Sequence, residues 1–143
     1  LTFTVLSISS AAPIRWYRNW NEATQVASST AKPALVLMSK SWCPSCQQLL
    51  PQLEEDEEVR RLSQAFVMVL CDNACQTDRD GFSPDGKYFP RILFTDSSMK
   101  VLTKETNFGA RKDAQYFYSS PEQVIESMER LLDRRIESQE NEL

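Results

Sequence analysis

The run Ala34-Leu35-Val36-Leu37-Met38-Ser39-Lys40-Ser41-Trp42-Cys43-Pro44-Ser45-Cys46 decides how this chain is read. Five consecutive apolar residues after Pro33 predict a short, buried central strand. Beyond it, Leu49, Leu50, Leu53, Val59 and Leu62 fall on one side of a helix expected from Pro44 to about Leu62. Proline suits the first turn of a helix, whereas Pro51, inside the pattern, is expected to kink it. A Cys-x-x-Cys pair thus sits where a strand hands over to a helix. There, unpaired N–H groups and the positive end of the helix dipole stabilise a thiolate on the first cysteine. The second, three residues on, is within reach to close a disulfide or expel a bound substrate. Position also predicts an exposed Cys43 sulfur and a more sheltered Cys46.

Composition narrows the chemistry further. The 143 residues carry 16 Lys and Arg against 20 Asp and Glu, a net charge of −4, and 41% of them are hydrophobic. That length suits one domain with one core. The acidic balance argues against binding nucleic acid or anionic membrane surfaces. There is no histidine, which removes Ser–His, Cys–His and His-ligated metal mechanisms. Three glycines are too few for a glycine-rich phosphate loop. Carboxylates, lysines and four cysteines remain.

Outward from the cysteine pair, residues 16–29 place Trp16, Tyr17, Trp20, Ala23, Val26 and Ala27 at three- and four-residue intervals and predict a helix. Residues 66–71 (Phe-Val-Met-Val-Leu-Cys) read as a second buried strand, followed by a polar stretch with Asp72, Asn73, Asp78, Asp80 and Gly81. Residues 92–95 and 99–103 flank Asp96-Ser97-Ser98 and read as an antiparallel hairpin. Ser120-Pro121-Glu122-Gln123 is a helix start, and Val124, Ile125, Met128, Leu131, Leu132 and Ile136 form its apolar stripe. This order predicts an α/β fold, a central mixed sheet with helices on both faces. The acidic run 54–58 reads as a solvated helix face rather than a calcium site.

The two ends carry compartment signals. Residues 1–12 are apolar, uncharged and end in small residues before Pro13, as in the rear half of a secretory signal peptide. Glu140-Asn141-Glu142-Leu143 is similar to the retention addresses read by a receptor in the secretory pathway, with Asn141 departing from the usual Asp. The expected organisation is a signal remnant at 1–12, one domain at 13–137 and an acidic tail at 138–143. The endoplasmic-reticulum lumen is the expected location.

The strand–Trp-Cys-x-x-Cys–helix arrangement resembles the thioredoxin family over nearly everything after the signal segment. Lys40-Ser41-Trp42-Cys43, Phe66-Val67-Met68-Val69, Phe82-Ser83-Pro84-Asp85-Gly86 and Pro90-Arg91-Ile92-Leu93-Phe94 resemble, more narrowly, the small reticulum oxidoreductases of the anterior-gradient group. The resemblance implies a thioredoxin fold and thiol–disulfide exchange on cysteine-containing client proteins. Cys43 would be the attacking thiol and Cys46 the resolving one. Trp42, Phe89 and Pro90 would face the client, with Phe89-Pro90 as a cis peptide. No cofactor or metal is implied; glutathione is the expected redox partner, and the protein is expected to be a monomer. Two departures stand out. Pro44-Ser45 replaces the family's usual intervening pairs, and Leu37 occupies the place where relatives bury a proton-accepting carboxylate.

Alternatives stay open here. Cys43 and Cys46 are also compatible with an inert disulfide or, joined by Cys71 and Cys75, with a zinc site. Cys71 and Cys75 are expected at the same sheet end as Cys43 but not touching it. They would form a local disulfide, remain two thiols, or relay to the first pair. Lys40 reads equally as a thiolate-favouring cation and as a surface lysine. A client-binding module with little redox turnover is the competing function.

Overall fold

A computed structural model describes residues 11–72, 75 and 81–141. The signal-like residues 1–10, Asn73, Asp78 and Asp80 of the polar stretch, and Glu142 and Leu143 of the retention-like tail lie outside that range. The elements run β1 (Trp16–Tyr17), α1 (Trp20–Thr30), β2 (Ala34–Met38), α2 (Pro44–Glu55), α3 (Glu57–Ser63), β3 (Val67–Cys71), β4 (Arg91–Thr95) and α4 (Pro121–Asn141). The sheet order is β1-β3-β2-β4. Strands β1 and β2 lie parallel to β3, while β4 runs antiparallel to β2.

Every residue of β2, β3 and β4 is buried, as an apolar run covered on both faces requires. Side-chain alternation divides the core in two. Leu35, Leu37, Met68, Leu70, Ile92 and Phe94 meet Leu49, Leu53, Val59, Val124, Met128 and Leu131 of α2, α3 and α4. The opposite face, with Ala34, Val36, Val67, Val69 and Leu93, meets Ala23 and Ala27 of α1 together with Phe82 and Tyr116. Each fully buried Leu, Val, Ile or Phe contributes about 1.5–3 kcal/mol. The expected mixed sheet with helices on both faces is therefore the architecture. Register sets its functional end, since Met38 lies opposite both Cys71 and Arg91.

Several boundaries differ from the sequence reading. Trp16 and Tyr17 are not helical but pair with Met68 and Val69. The helix starts at Trp20 because the Asn19 side chain accepts the Glu22 N–H at 2.9 Å. The helix expected from Pro44 to about Leu62 is two helices. It continues through Pro51 and breaks at Asp56, whose carboxylate caps α3 by accepting the Val59 N–H at 2.9 Å. Around this break, Glu57 pairs with Arg60 and Glu58 with Arg61 on the surface. The expected hairpin reduces to β4 and a single bridge, Thr95 to Val101. Asp96 closes that reversal with its own carboxylate, which accepts from the N–H groups of Ser98 and Lys100 and the Ser98 hydroxyl. On α4 the stripe ends early. Ile136 is exposed, and the helix runs on through the expected tail as far as Asn141.

Candidate active site

Helix α2 begins at the cysteine pair. Cys43 is its N-cap, in extended conformation, and Pro44 opens the first turn. The Cys46 N–H donates to the Cys43 sulfur at 3.4 Å, and the Cys43 N–H donates to the Lys40 carbonyl at 3.2 Å. The first cysteine therefore replaces the Ser or Asp that ordinarily satisfies a helix N-terminus, an environment favourable to negative charge. Both thiols are free.

The exposure contrast expected between the two cysteines is small: Cys43 is 6% exposed and Cys46 3%. Cys43 is covered because it donates to the Phe89 carbonyl, 3.6 Å away and 46 residues distant in sequence. Burial, followed by the adjacent Cys43 sulfur, pushes the Cys46 thiol up, against smaller opposing contributions from the Lys40 backbone and the Ser39 side chain.

The residues expected to face a client lie together. Phe89-Pro90 is a cis peptide with Pro90 buried. Trp42 is 67% exposed and meets the Phe89 ring edge-on, with centroids 6.0 Å apart. The Lys40 ammonium lies 5.5 Å from that ring's centroid, and the Arg91 guanidinium 5.1 Å from it. An aromatic pair bordered by two cations thus rims the dithiol. Leu37 is fully packed in the core, 1% exposed, so the site's sheet face carries a methyl-bearing side chain at the position considered for a carboxylate.

Cys71 and Cys75 are joined in a disulfide, their Cα atoms 4.8 Å apart. Register with Met38 places it at the same sheet end as the dithiol, and the Cys71 carbonyl accepts the Ser39 N–H at 2.9 Å. Asp72, inside the closed loop, pairs with Arg18 on the strand β1 side. With Cys71 and Cys75 bonded to each other, their sulfurs are not thiolates available to join Cys43 and Cys46 in the tetrahedral set that zinc requires. Among the described residues, no three Cys, Asp or Glu side chains gather as metal ligands. Nor is any described helix long and apolar enough to cross a membrane.

Sequence reasoning missed how the segment before Phe89 is held. The Arg91 side chain is buried and donates to the carbonyls of Phe82 and Tyr88. Tyr88 donates to Asp85 at 2.6 Å and accepts the Tyr116 N–H, while Asp85 accepts the Gln115 N–H. Burial, then the Asp85 carboxylate, pushes the Tyr88 hydroxyl far above the usual phenol range, so it stays a donor. An arginine at the head of a buried strand, followed directly by Ile92, Leu93 and Phe94, was the available signal.

The dithiol at a strand-to-helix junction, on a mixed sheet covered on both faces, defines a thioredoxin-like protein. A family model described as thioredoxin-like matches residues 15–97. The chain is 30% identical to mouse anterior gradient protein 3 over 128 residues, covering 88% of this chain and 75% of that protein. Identity to the human anterior gradient protein 2 homolog is 27% over 117 residues. That match covers 82% of this chain, which spans 66% of the relative's length. A thioredoxin from Thermus thermophilus shares the fold with a TM-score of 0.55 at 19% identity, covering 85% of this chain and 88% of that one. The chain belongs to the thioredoxin-like superfamily and, within it, to the anterior gradient group.

Proposed function

We propose that the protein is a thiol–disulfide oxidoreductase acting on cysteines of other proteins. The observation that carries this reading is the free Cys43–Cys46 pair at the α2 N-terminus, with the Cys43 sulfur capping the helix beneath the Phe89 carbonyl. The Cys43 thiolate attacks a client disulfide, forming a mixed disulfide and releasing one client thiolate. Cys46, once deprotonated, attacks the Cys43 sulfur and releases the second client thiolate. The client gains two electrons, and the protein is left with a Cys43–Cys46 disulfide; client oxidation runs the same steps in reverse. Without histidine, and with Leu37 in place of a carboxylate, the Cys46 proton leaves to water or a client group, which makes resolution slow.

Trp42 and Phe89 provide the client-facing surface, and glutathione is the redox partner that resets the pair. The lumen of the endoplasmic reticulum is the proposed location, because a Cys71–Cys75 disulfide persists in an oxidising compartment. Glu140, Asn141, Glu142 and Leu143 would be the retention receptor's address, and the protein acts as a monomer. Reduction of a disulfide-linked peptide by the purified protein, with glutathione as reductant, tests the activity. Turnover supports it. Peptide capture without turnover would instead assign a client-binding module.

A further inference from the structure

We propose that Arg91 is a positioning residue, which sets the client-docking edge at Phe89 relative to Cys43. Arg91 opens β4 and is 3% exposed, although Ile92, Leu93 and Phe94 after it are plain core residues. Burying a guanidinium is costly unless its donors are met, and a Leu or Met would fill this space at less cost. Its donors reach three points of one irregular segment: the Phe82 carbonyl at 2.8 Å, the Tyr88 carbonyl at 2.9 Å and the Ser83 hydroxyl at 3.2 Å. The same guanidinium lies 5.1 Å from the centroid of the Phe89 ring. Arg91 therefore ties both ends of the 82–88 segment and braces the residue that follows it.

Phe89 is where this bracing meets the chemistry. Its carbonyl accepts from the Cys43 sulfur at 3.6 Å, and its ring packs edge-on against exposed Trp42. The segment has no helix or strand of its own and includes Gly86 at φ 144°. Its conformation thus depends on side-chain ties. The Asp85–Tyr88 link to Gln115 and Tyr116 fastens the outer side, and Arg91 fastens the side facing the sheet. Arg91 acts on the dithiol through Phe89.

This inference rests on the proposed oxidoreductase activity. Two substrates separate positioning from mere folding: a ten-residue Ala/Thr peptide dimerised through one cysteine, and bis(2-hydroxyethyl) disulfide, which is too small to use the docking edge. Both are reduced by the full chain with glutathione as reductant. Arg91→Met is expected to raise KM for the peptide about tenfold, with kcat and the rate on the small disulfide each changed less than about twofold. Arg91→Lys keeps a cation but loses the fork, so an intermediate KM is expected. If Arg91→Met fails to fold, Arg91→Lys and Ser83→Ala carry the test, each raising the peptide KM alone. Equal losses on both substrates, or no change on either, would overturn the positioning role. Failure of the unaltered protein on both substrates would instead remove the oxidoreductase reading itself.

Discussion

The Cys43 sulfur and the Phe89 carbonyl oxygen lie 3.6 Å apart across 46 residues of sequence. That contact joins the start of α2 to the loop leading into β4; in the proposed mechanism it sets Cys43 beside the backbone that an extended client would use. The same sulfur accepts the Cys46 N–H. One atom thus contacts both the Phe89 backbone and Cys46.

Mixed-disulfide trapping follows from this placement. Cys46→Ser should accumulate mixed disulfides with clients, since attack proceeds and resolution does not. Cys43→Ser should accumulate none. Non-reducing gels followed by mass mapping decide it, and equal trapping by both variants would reverse the assignment.

The raised Cys46 thiol makes its alkylation pH-dependent. A thiol whose folded value lies above its ordinary one stays protonated at pH values where an unperturbed thiol, near pH 8.5, has ionised. Iodoacetamide should therefore label Cys46 little at pH 7, with labelling rising only as the pH climbs past the ordinary thiol range. Peptide mapping over a pH series from 6 to 10 measures this. Ready labelling of Cys46 at neutral pH would contradict it.

Trp42 should separate binding from stability. Its side chain is largely in solvent and meets the Phe89 ring edge-on, so Trp42→Ala should change unfolding free energy by no more than about 0.5 kcal/mol. Phe94→Ala, fully buried against Phe66, should cost about 3–5 kcal/mol. Denaturant titration gives both values. Peptide turnover should fall severalfold for Trp42→Ala and, at temperatures where the variant is folded, stay near normal for Phe94→Ala.

The second cysteine pair should contribute to stability and not to turnover. The loop it closes is short, so the chain-entropy contribution is about 2 kcal/mol. Replacing Cys71 and Cys75 together by Ala should lower stability by about that amount and leave peptide reduction within about twofold. Loss of turnover in a folded double variant would favour a relay between the two pairs.

Much of this arrangement was legible from residue order. The apolar runs that became β2 and β3, and Cys43 ahead of Pro44, carry strong local signals; both strands formed close to their expected limits and α2 starts where expected. Tertiary context decided the rest. Trp16 and Tyr17 keep helical spacing with Trp20, yet pairing with β3 draws them into a strand. Asp56 reads as one more member of an acidic run until its carboxylate caps α3. Asp96, held below the usual carboxylate range because hydrogen bonds from Ser98 and Lys100 outweigh burial, replaces much of the hairpin's ladder. Arginine at the head of a buried strand marks Arg91 as unusual, but its partners, carbonyls three to nine residues upstream, are set by the fold.

The most direct test is a redox titration of the Cys43–Cys46 pair in glutathione buffers, quenched with acid, alkylated and mass-mapped. One reversible two-electron transition between dithiol and a Cys43–Cys46 disulfide is expected, with the Cys71–Cys75 linkage intact through it. Absence of a Cys43–Cys46 disulfide at every glutathione ratio, or a Cys43–Cys71 linkage as the main oxidised species, would contradict it.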